Sequence, residues 1–375
     1  MKEGTPTKVT VEKQQLMEDT DNWLHLHYWV SPTRTPHFYL VFTTCAILGN
    51  VTRTGILKLS NYEHSFIAPQ NTLWPNFVSC MIMGMFQIFN TAENAWFADY
   101  PYLFSGITTG FCGCLSSYSS MMLEVLLYSA SLNKVNISQH VTLPNRAYGI
   151  MEFLSVLLSQ MFVSLGAYLF GRSLATDIIV KYIDRHVENE EMKENEVESV
   201  RHPVLRKYVR FFDLLLAGLA VPLIALFVVL AAVYNNYSRS NWTLGPIFGI
   251  VGAFSRYYIS TYVNPLNVRF YLGTFTCNQI AVLLLSFFTM IERGYNSSMT
   301  APIAKTVNAC RIVSALGSGY CGSLSTISTF INESYNLKLH YALFYNVMTY
   351  AISYMLLVVT LGAFSWSRGL TEPMC

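Results

Sequence analysis

Nine apolar stretches constrain the fold of this chain more than any other feature of its sequence. They lie near residues 36–58, 72–92, 101–131, 146–171, 209–234, 243–261, 267–291, 303–333 and 340–367. Each approaches or exceeds the roughly 20 residues that a helix needs to cross a bilayer. Because backbone groups in lipid must be hydrogen-bonded within the chain, helices are the expected structure. The sequence therefore predicts an all-α membrane protein with nine spans.

The composition supports a membrane location and argues against other classes of protein. Only 12% of the 375 residues are charged, against about 25% in soluble proteins. No basic block with interleaved aromatic residues is present in the sequence, so we expect no nucleic-acid partner. The HExxH, GxSxG and phosphate-binding-loop motifs are also absent from it, and we expect no enzyme activity.

One unusual stretch occurs twice. GFCGCLSSYSSMMLE runs from Gly110 to Glu124, and GYCGSLSTISTFINE runs from Gly319 to Glu333, 209 positions later. The two align without a gap, with seven of fifteen positions identical. Glycine loosens a helix and hydroxyl groups compete for its carbonyls, so the pattern favours a broken helix that lines an ion path. Close helix–helix packing through small residues is the alternative, but it leaves the clustered hydroxyls unexplained.

Two further pairs of motifs repeat in the same order. GNVTRTG resembles GAFSRYY, which aligns Arg53 with Arg256, and NTLWPNF resembles LGTFTCNQI, which aligns Asn76 with Asn278. Each half then has four spans, and one unpaired span separates the halves. Four spans return the chain to its starting side and the fifth moves it across, so the second half is expected to be inverted, as in many transporters.

These repeats define the predicted domains. We expect a cytosolic tail over 1–35, a first four-helix domain over 36–172, a charged cytosolic loop over 173–208, a linker transmembrane helix over 209–234 and an inverted four-helix domain over 240–369. More Lys and Arg residues fall on the side of the N-terminus, which places that side in the cytosol and the C-terminus outside. Four glycosylation sequons then lie outside, at Asn136, Asn236, Asn241 and Asn296.

The motifs together resemble those of the Fluc/CrcB fluoride channels. The repeated stretch is similar to that family's G-x-x-G-x-x-T-T-F-S-T-F, the asparagine segments to its G-T-x-x-x-N, and the arginine segments to its G-x-x-x-R. The two-domain layout is similar to the fluoride export proteins of fungi, over about residues 36–369. The resemblance implies passive, selective fluoride export across the plasma membrane by a single fused chain, with fluoride and the lipid bilayer as its partners.

The resemblance also implies site residues. Family positions whose carbonyls bind a structural sodium ion match Gly113, Ser116, Gly322 and Ser325. Amide and hydroxyl donors suit a small anion that must leave its hydration shell. The pathway would take such donors from Asn76, Asn278, Ser119, Ser120, Ser328 and Thr329, and from a family tyrosine that aligns with Tyr148 and Tyr345.

The two halves differ at the positions of the family's two phenylalanines. The first half has Tyr118 and Met121 there, and the second has Ile327 and Phe330. In the family, each pore combines the first aromatic of one half with the second of the other. One pore would therefore pair Tyr118 with Phe330, and the other would pair Ile327 with Met121. We predict one working pore and one vestigial pore.

Several roles stay open at this stage. Arg53 and Arg256 either attract the anion at the pore entrances or extend to lipid headgroups. Glu124 and Glu333 are expected to anchor helix ends rather than to carry protons. The alternative function is a proton-coupled fluoride exchanger or a transporter of another small anion.

Overall fold

The computed structural model describes residues 35–62, 67, 71–91, 96–132, 145, 147–182, 203–234, 236–295 and 303–371. The tail predicted over 1–35, except its last residue, the greater part of the loop predicted over 173–208, and the sequons at Asn136 and Asn296 lie outside the described residues. Within the described ranges the secondary structure is helical apart from an isolated antiparallel bridge between Gly294 and Leu370. The prediction of an all-α protein is confirmed for this part of the chain.

The first half contains helices in each of its predicted spans. They are α1 (Pro36–Leu59), α2 (Leu73–Phe89), α3 (Pro101–Ser105), α4 (Tyr118–Ser129) and α5 (Ala147–Leu174). Helix α3 continues as a π-helical segment, Gly106–Cys112, and one α-helical turn, Gly113–Leu115. Helix α5 continues as a π-helical segment, Ala175–Val180.

The second half repeats this order after a linker helix. The linker is α6 (Pro203–Val233), and it is followed by α7 (Ser240–Val263), α8 (Leu272–Arg293), α9 (Val307–Ala315), α10 (Ser328–Asn336) and α11 (Leu339–Leu357). Helix α9 continues through Leu316–Cys321 and Gly322–Leu324, and α11 through Val358–Gly362 and Ala363–Arg368.

Six helices among the described residues are long and apolar enough to cross a membrane. Helix α2 falls short of that length with 17 residues. The other two predicted spans outside the six are α7 and the interrupted stretch from α9 to α10. The chain therefore has the helices of an all-α membrane protein, while the count of nine spans stays a prediction.

Both copies of the repeated stretch break their helix at the same point. Ser116 is extended, with φ −85° and ψ 157°, between the turn that ends at Leu115 and the start of α4. Ser325 is extended in the same way, with φ −88° and ψ 157°. A π-helical segment precedes each break. The broken helix predicted from the glycines and hydroxyls is present in both halves.

The glycines of the repeated arginine motif allow α1 and α7 to approach these broken helices closely. A Cβ atom on Gly49 would lie 3.1 Å from the carbonyl carbon of Phe111, and one on Gly252 would lie 3.2 Å from that of Tyr320. Each glycine therefore lets its helix contact the π-helical segment of its own half directly. The side chain of the arginine four residues later is thereby placed beside the breaks.

The linker helix α6 is attached to both halves. In the first half, the Thr44 hydroxyl donates to the carbonyl of Leu216 (2.8 Å), and Nε2 of His37 lies 2.6 Å from Oδ2 of Asp213. In the second half, Arg311 donates to the carbonyl of Ala231 (3.0 Å) at the end of α6. Many of its large apolar side chains are exposed. The linker therefore bridges the halves and presents an apolar face suited to lipid.

Candidate functional site

Ser116 and Ser325, which are equivalent in the two repeats, each bond to the broken helix of the other half. The hydroxyl oxygen of Ser116 accepts from the backbone N–H groups of Ile327 (3.2 Å) and Ser328 (3.3 Å) at the start of α10. The hydroxyl oxygen of Ser325 accepts from the N–H of Ser119 (3.0 Å) at the start of α4. A side-chain oxygen so placed satisfies a donor that the first turn of a helix leaves unpaired. The halves therefore complete each other's broken helix.

Ser119 and Ser328, predicted as fluoride donors, lie at this same boundary. The hydroxyl oxygen of Ser119 is 2.9 Å from that of Ser325, and the hydroxyl oxygen of Ser328 is 3.2 Å from that of Ser116. All four side chains are buried. The structure thus uses these hydroxyls in a hydrogen-bond network that joins the halves.

Ser120 and Thr329 are half-buried and bond within their own half. The Ser117 hydroxyl donates to the hydroxyl oxygen of Ser120 (2.9 Å), and the Thr326 hydroxyl donates to that of Thr329 (3.4 Å). Each oxygen that accepts these bonds still has a hydrogen to donate. Of the predicted hydroxyl donors, these two are the less buried pair.

Asn76 and Asn278 hold the helix breaks in place. The side-chain oxygen of Asn76 accepts from the backbone N–H of Ser117 (3.0 Å), and that of Asn278 accepts from the N–H of Thr326 (2.9 Å). The amide nitrogen of Asn76 donates to Gln160 over 3.4 Å. Both asparagines are fully buried. The structure therefore shows a positioning contact for each, at equivalent places in the two halves.

Arg53 and Arg256 point at the broken helix of the opposite half. They are 4% and 1% exposed. Arg256 donates to the carbonyls of Gly113 (2.7 Å) and Thr109 (2.5 Å), and Arg53 donates to the carbonyl of Ser318. Guanidinium groups can thereby satisfy carbonyls that a broken helix leaves unpaired. Both side chains are therefore buried beside the helix breaks and do not extend to the headgroups, while attraction of the anion by the arginines stays a prediction.

Two of the four predicted sodium ligands face one point. Nη1 of Arg256 is 2.7 Å from the carbonyl oxygen of Gly113 and 3.3 Å from that of Ser325, so carbonyls from opposite halves converge. A carbonyl oxygen has two lone pairs and can accept from a guanidinium and bind a cation at once. Backbone carbonyl oxygens are suitable ligands for a hard cation. In this structure the guanidinium group of Arg256 contacts the carbonyls of Gly113 and Ser325.

The structure brings Tyr118 and Phe330 together, as predicted from the sequence. Their ring centroids are 5.7 Å apart, across the boundary between the halves. Phe330 also contacts Tyr345, with ring centroids 5.0 Å apart. The rings of Tyr118 and Phe330 both pack against Tyr350 of α11. Ile327 and Met121 are buried in the same apolar cluster. One aromatic pair therefore packs against α11 at the boundary between the halves.

Tyr345 is buried and bonded to a carboxylate, whereas Tyr148 is not. The Tyr345 hydroxyl donates to Glu333 (2.9 Å), whose other oxygen accepts from the hydroxyl of Thr274 (2.6 Å) at the start of α8. Tyr148 is 52% exposed at the beginning of α5. Tyr148 therefore lacks the contacts that Tyr345 makes, and its pathway role stays a prediction.

Gln160 holds in the first half the place that Tyr345 holds in the second. Its amide nitrogen donates to Glu124 (3.1 Å) and to the hydroxyl of Thr72 (3.1 Å). Glu124 in turn accepts from the backbone N–H of Thr72 (2.8 Å). Both repeated glutamates thus bond at the start of the second helix of their half, where the helix dipole favours a carboxylate. This agrees with the predicted role as helix-end anchors.

Polar side chains of α8 and α11 continue beyond the aromatic pair in the second half. The Tyr118 hydroxyl is 3.0 Å from the hydroxyl of Ser353, which donates to Oε1 of Gln279 (2.9 Å). Further along, the hydroxyl of Thr360 donates to that of Ser286 (2.9 Å). The two helices therefore share a line of neutral hydrogen-bonding groups. Sequence reasoning missed Ser353 and Gln279, although polar residues in these apolar segments were the available signal.

The equivalent helices of the first half, α2 and α5, contact each other directly through glycines. A Cβ atom on Gly84 would lie 3.1 Å from the carbonyl carbon of Tyr168, and one on Gly171 would lie 2.8 Å from that of Met81. Both Cβ distances are shorter than ordinary van der Waals contacts. The backbones of α2 and α5 are therefore in direct contact at these glycines. The position that aligns with Gln279 is Phe77, which cannot hydrogen-bond. The first half therefore lacks a counterpart of Gln279, although its helix α5 carries buried polar side chains of its own, among them Ser164.

The predicted glycosylation sites among the described residues have different surroundings. Asn236 is exposed. Asn241 lies near the start of α7, and its side-chain oxygen accepts from the hydroxyls of Ser314 (3.3 Å) and Ser318 (2.7 Å). Asn241 is half-buried, and glycosylation at both asparagines stays a prediction.

Comparison with known proteins identifies the family. The family model described as "CrcB-like protein, Camphor Resistance (CrcB)" matches the chain twice, over residues 40–168 and 243–363. The chain is 46% identical over 361 residues to Fluoride export protein 1 of Saccharomyces cerevisiae, covering 90% of this chain and 96% of that protein. It is 31% identical over 335 residues to Fluoride export protein 1 of Candida albicans, covering 87% of this chain and 79% of that protein.

A shorter match is to a protein of Pyrococcus horikoshii. Over 92 residues the chain is 37% identical to the Fluoride-specific ion channel FluC of Pyrococcus horikoshii, which covers 24% of this chain and 65% of that protein. No solved structure matches the chain. Because the family model matches both halves and the fungal relatives align along nearly the whole length, the chain belongs to the CrcB-like family, in its fused two-domain fungal form.

Proposed function

We propose that this chain is a passive, fluoride-selective channel that exports fluoride from the cytosol across the plasma membrane. The observation that carries this proposal is the contact of Tyr118 in one half with Phe330 in the other, beside the polar side chains of α11. The relatives' names, fluoride export protein and fluoride-specific ion channel, describe this activity for proteins that align with the chain. The chain is a membrane channel protein and not an enzyme.

The chemistry of the pathway suits a small, strongly hydrated anion. Fluoride that leaves water needs donors to replace its hydration shell, and hydroxyl and amide groups supply them. Ser353, Gln279 and Tyr345 are neutral, so they would not hold the anion with the strong attraction of a fixed cation. Gln279 donates one amide hydrogen to the carbonyl of Thr349 and keeps the other for the anion. Ser353 and Tyr345 would donate to the anion only by leaving Gln279 and Glu333. A narrow line of such groups beside aromatic edges favours fluoride over the larger chloride. The inside-negative potential would drive export at about 2.3 kcal/mol per charge per 100 mV.

One of the two pores conducts and the other is vestigial. The conducting pore takes Tyr118 and Phe330 as its aromatic pair and the polar groups of α8 and α11 as its continuation. The other would depend on Ile327 and Met121, which have no aromatic edge. Direct contact of α2 and α5 through Gly84 further supports a closed first-half pathway.

The fused halves are inverted relative to each other, with the N-terminus cytosolic and the C-terminus extracellular. The reciprocal contacts of Ser116 and Ser325 support a two-fold relation between the halves. Cys310, near the start of α9, is disulfide-bonded. In this orientation that segment faces the outside, where disulfides persist. Tyr345 and Glu333 then mark the cytosolic end of the conducting pore.

A structural sodium ion at the helix breaks is a further part of this proposal. The carbonyls of Gly113, Ser116, Gly322 and Ser325 would hold it, and it would add a positive centre between the halves. Two of these carbonyls also accept from Arg256. Emission spectrometry of protein purified in sodium-free buffer tests for this ion. We expect one sodium per chain if the ion is a resident part of the structure. No sodium would mean that the arginines alone neutralise the carbonyls at the helix breaks.

Anion efflux from liposomes tests the function. The purified chain is reconstituted with potassium fluoride or potassium chloride inside, valinomycin is added, and efflux is followed with an ion-selective electrode. We expect rapid fluoride loss without chloride loss. Equal loss of both anions would contradict selectivity for fluoride. Fluoride loss that requires a proton gradient would indicate an exchanger and not a channel. Retention of both anions would contradict the proposed function.

A further inference from the structure

Tyr350 carries a buried hydroxyl group that the fold does not use. The side chain is 7% exposed, and its oxygen makes no hydrogen bond to any residue that the structure describes. Most buried polar side chains have at least one hydrogen-bond partner, because water has been lost and must be replaced. The phenol of Tyr350 can therefore still donate its hydrogen to a ligand.

The ring of Tyr350 packs against the aromatic pair of the proposed conducting pore. The ring of Tyr350 is 5.8 Å from that of Tyr118 and nearly parallel to it, with 21° between the planes. It is 5.6 Å from the ring of Phe330, at 75°. Tyr350 thus contacts both members of the aromatic pair that joins the halves.

The neighbouring tyrosine hydroxyls have protein partners. Tyr118 is bonded to Ser353 (3.0 Å), and Tyr345 donates to Glu333 (2.9 Å). In this cluster of described residues, Tyr350 is the tyrosine whose hydroxyl is left to donate to a passing anion. Aligning Gln160 with Tyr345 puts Leu165 at the position of Tyr350 in the first half, so the closed pathway lacks this donor.

We propose that Tyr350 is an anion-contacting residue, which donates its phenolic hydroxyl to fluoride as the ion passes the Tyr118–Phe330 pair. This inference rests on the proposed fluoride conduction and adds a residue to it. A hydroxyl with no protein partner is free to rotate toward the ion. The ion loses part of its hydration shell at the aromatic pair, so a donor at this point stabilises it most.

The substitution Tyr350→Phe tests this role, since it removes only the hydroxyl. We expect fluoride efflux from liposomes to fall at least tenfold. The melting temperature should stay unchanged or rise, because no protein hydrogen bond is lost. Tyr262→Phe, at an exposed position of α7, is the matched control and should leave both quantities unchanged.

The outcomes separate this inference from the proposed function. If the unmodified chain conducts no fluoride, the proposed function fails. If it conducts and Tyr350→Phe conducts equally, only the role of Tyr350 is refuted. A fall in efflux accompanied by a lower melting temperature would also overturn it, since the hydroxyl would then be a structural group.

Discussion

Ser116 and Ser325 exchange partners across the middle of the protein, so that each caps the helix that follows the other. The bonds run from the N–H of Ser328 to Ser116 (3.3 Å) and from the N–H of Ser119 to Ser325 (3.0 Å). Equivalent residues thus make equivalent contacts in both directions. The stability of each broken helix therefore depends on the opposite half.

Removing either cap should destabilise the whole chain. We expect Ser116→Ala and Ser325→Ala each to lower the free energy of unfolding by about 0.5–2 kcal/mol, the usual loss for an N-cap. Thermal unfolding of the purified variants in detergent measures this. Ser159→Ala, whose exposed hydroxyl bonds only to a carbonyl of its own helix, is the control and should have little effect. Wild-type stability in both cap variants would show that the caps contribute nothing.

The two pores should respond differently to changes at their aromatic positions. We expect Phe330→Ile to reduce fluoride efflux at least tenfold, because it removes an aromatic edge from the conducting pore. Ile327→Ala should leave efflux per folded protein unchanged. Liposome efflux, normalised to folded protein, measures both, and Phe287→Ile on the exposed face of α8 is the control. The reverse pattern would mean that the conducting pore is the other one.

Tyr345 and Tyr148 align in the sequence but should behave differently when the hydroxyl is removed. Tyr345→Phe leaves an oxygen of Glu333 without its donor, which costs about 1–3 kcal/mol in a buried site. We expect lower thermal stability and at least a tenfold loss of efflux. Tyr148→Phe, at an exposed position, should change neither. An equal effect of the two substitutions would contradict the assignment of Gln160 as the counterpart of Tyr345.

Gly84 should not tolerate a side chain, whereas Gly166 should. A methyl group at Gly84 would be forced against the backbone of Tyr168 and would separate α2 from α5. We expect Gly84→Ala to lower the melting temperature by several degrees. Gly166 has no atom within 4 Å of its Cβ position, and alanine is favoured over glycine in a helix by about 1 kcal/mol. Gly166→Ala should therefore melt at or above the wild-type temperature.

Local composition was sufficient to predict the helix breaks. Glycines at fixed spacing and a run of hydroxyls lower helix stability wherever they occur, and both copies break at Ser116 and Ser325. The contact of Tyr118 with Phe330 was predicted from the family's pairing of aromatics across halves. These features depend on residues within one motif or on its repetition.

The register of the fourth helix of each half could not be predicted in this way. Gln160 follows Glu124 by 36 residues, whereas Tyr345 follows Glu333 by 12. No gapless alignment connects these pairs, and a shared tyrosine near the helix start led to Tyr148 instead. The burial of Arg53 was missed for a related reason. Its acceptor is a backbone carbonyl of the opposite half. Every residue has a backbone carbonyl, so the sequence does not indicate which one accepts the hydrogen bond.

The exchanged caps also have a consequence for biosynthesis. One donor in the first turn of α4, the N–H of Ser119, has its acceptor in Ser325, which follows Ser119 by 206 residues. Domains are made N-terminal first, so the first domain is synthesised before this acceptor, and Ser117 of its own half then caps the turn through the N–H of Ser120. A chain that ends before residue 325 leaves the N–H of Ser119 without this acceptor. The hydrogen bonds of the first domain are therefore complete only after the second domain has been synthesised.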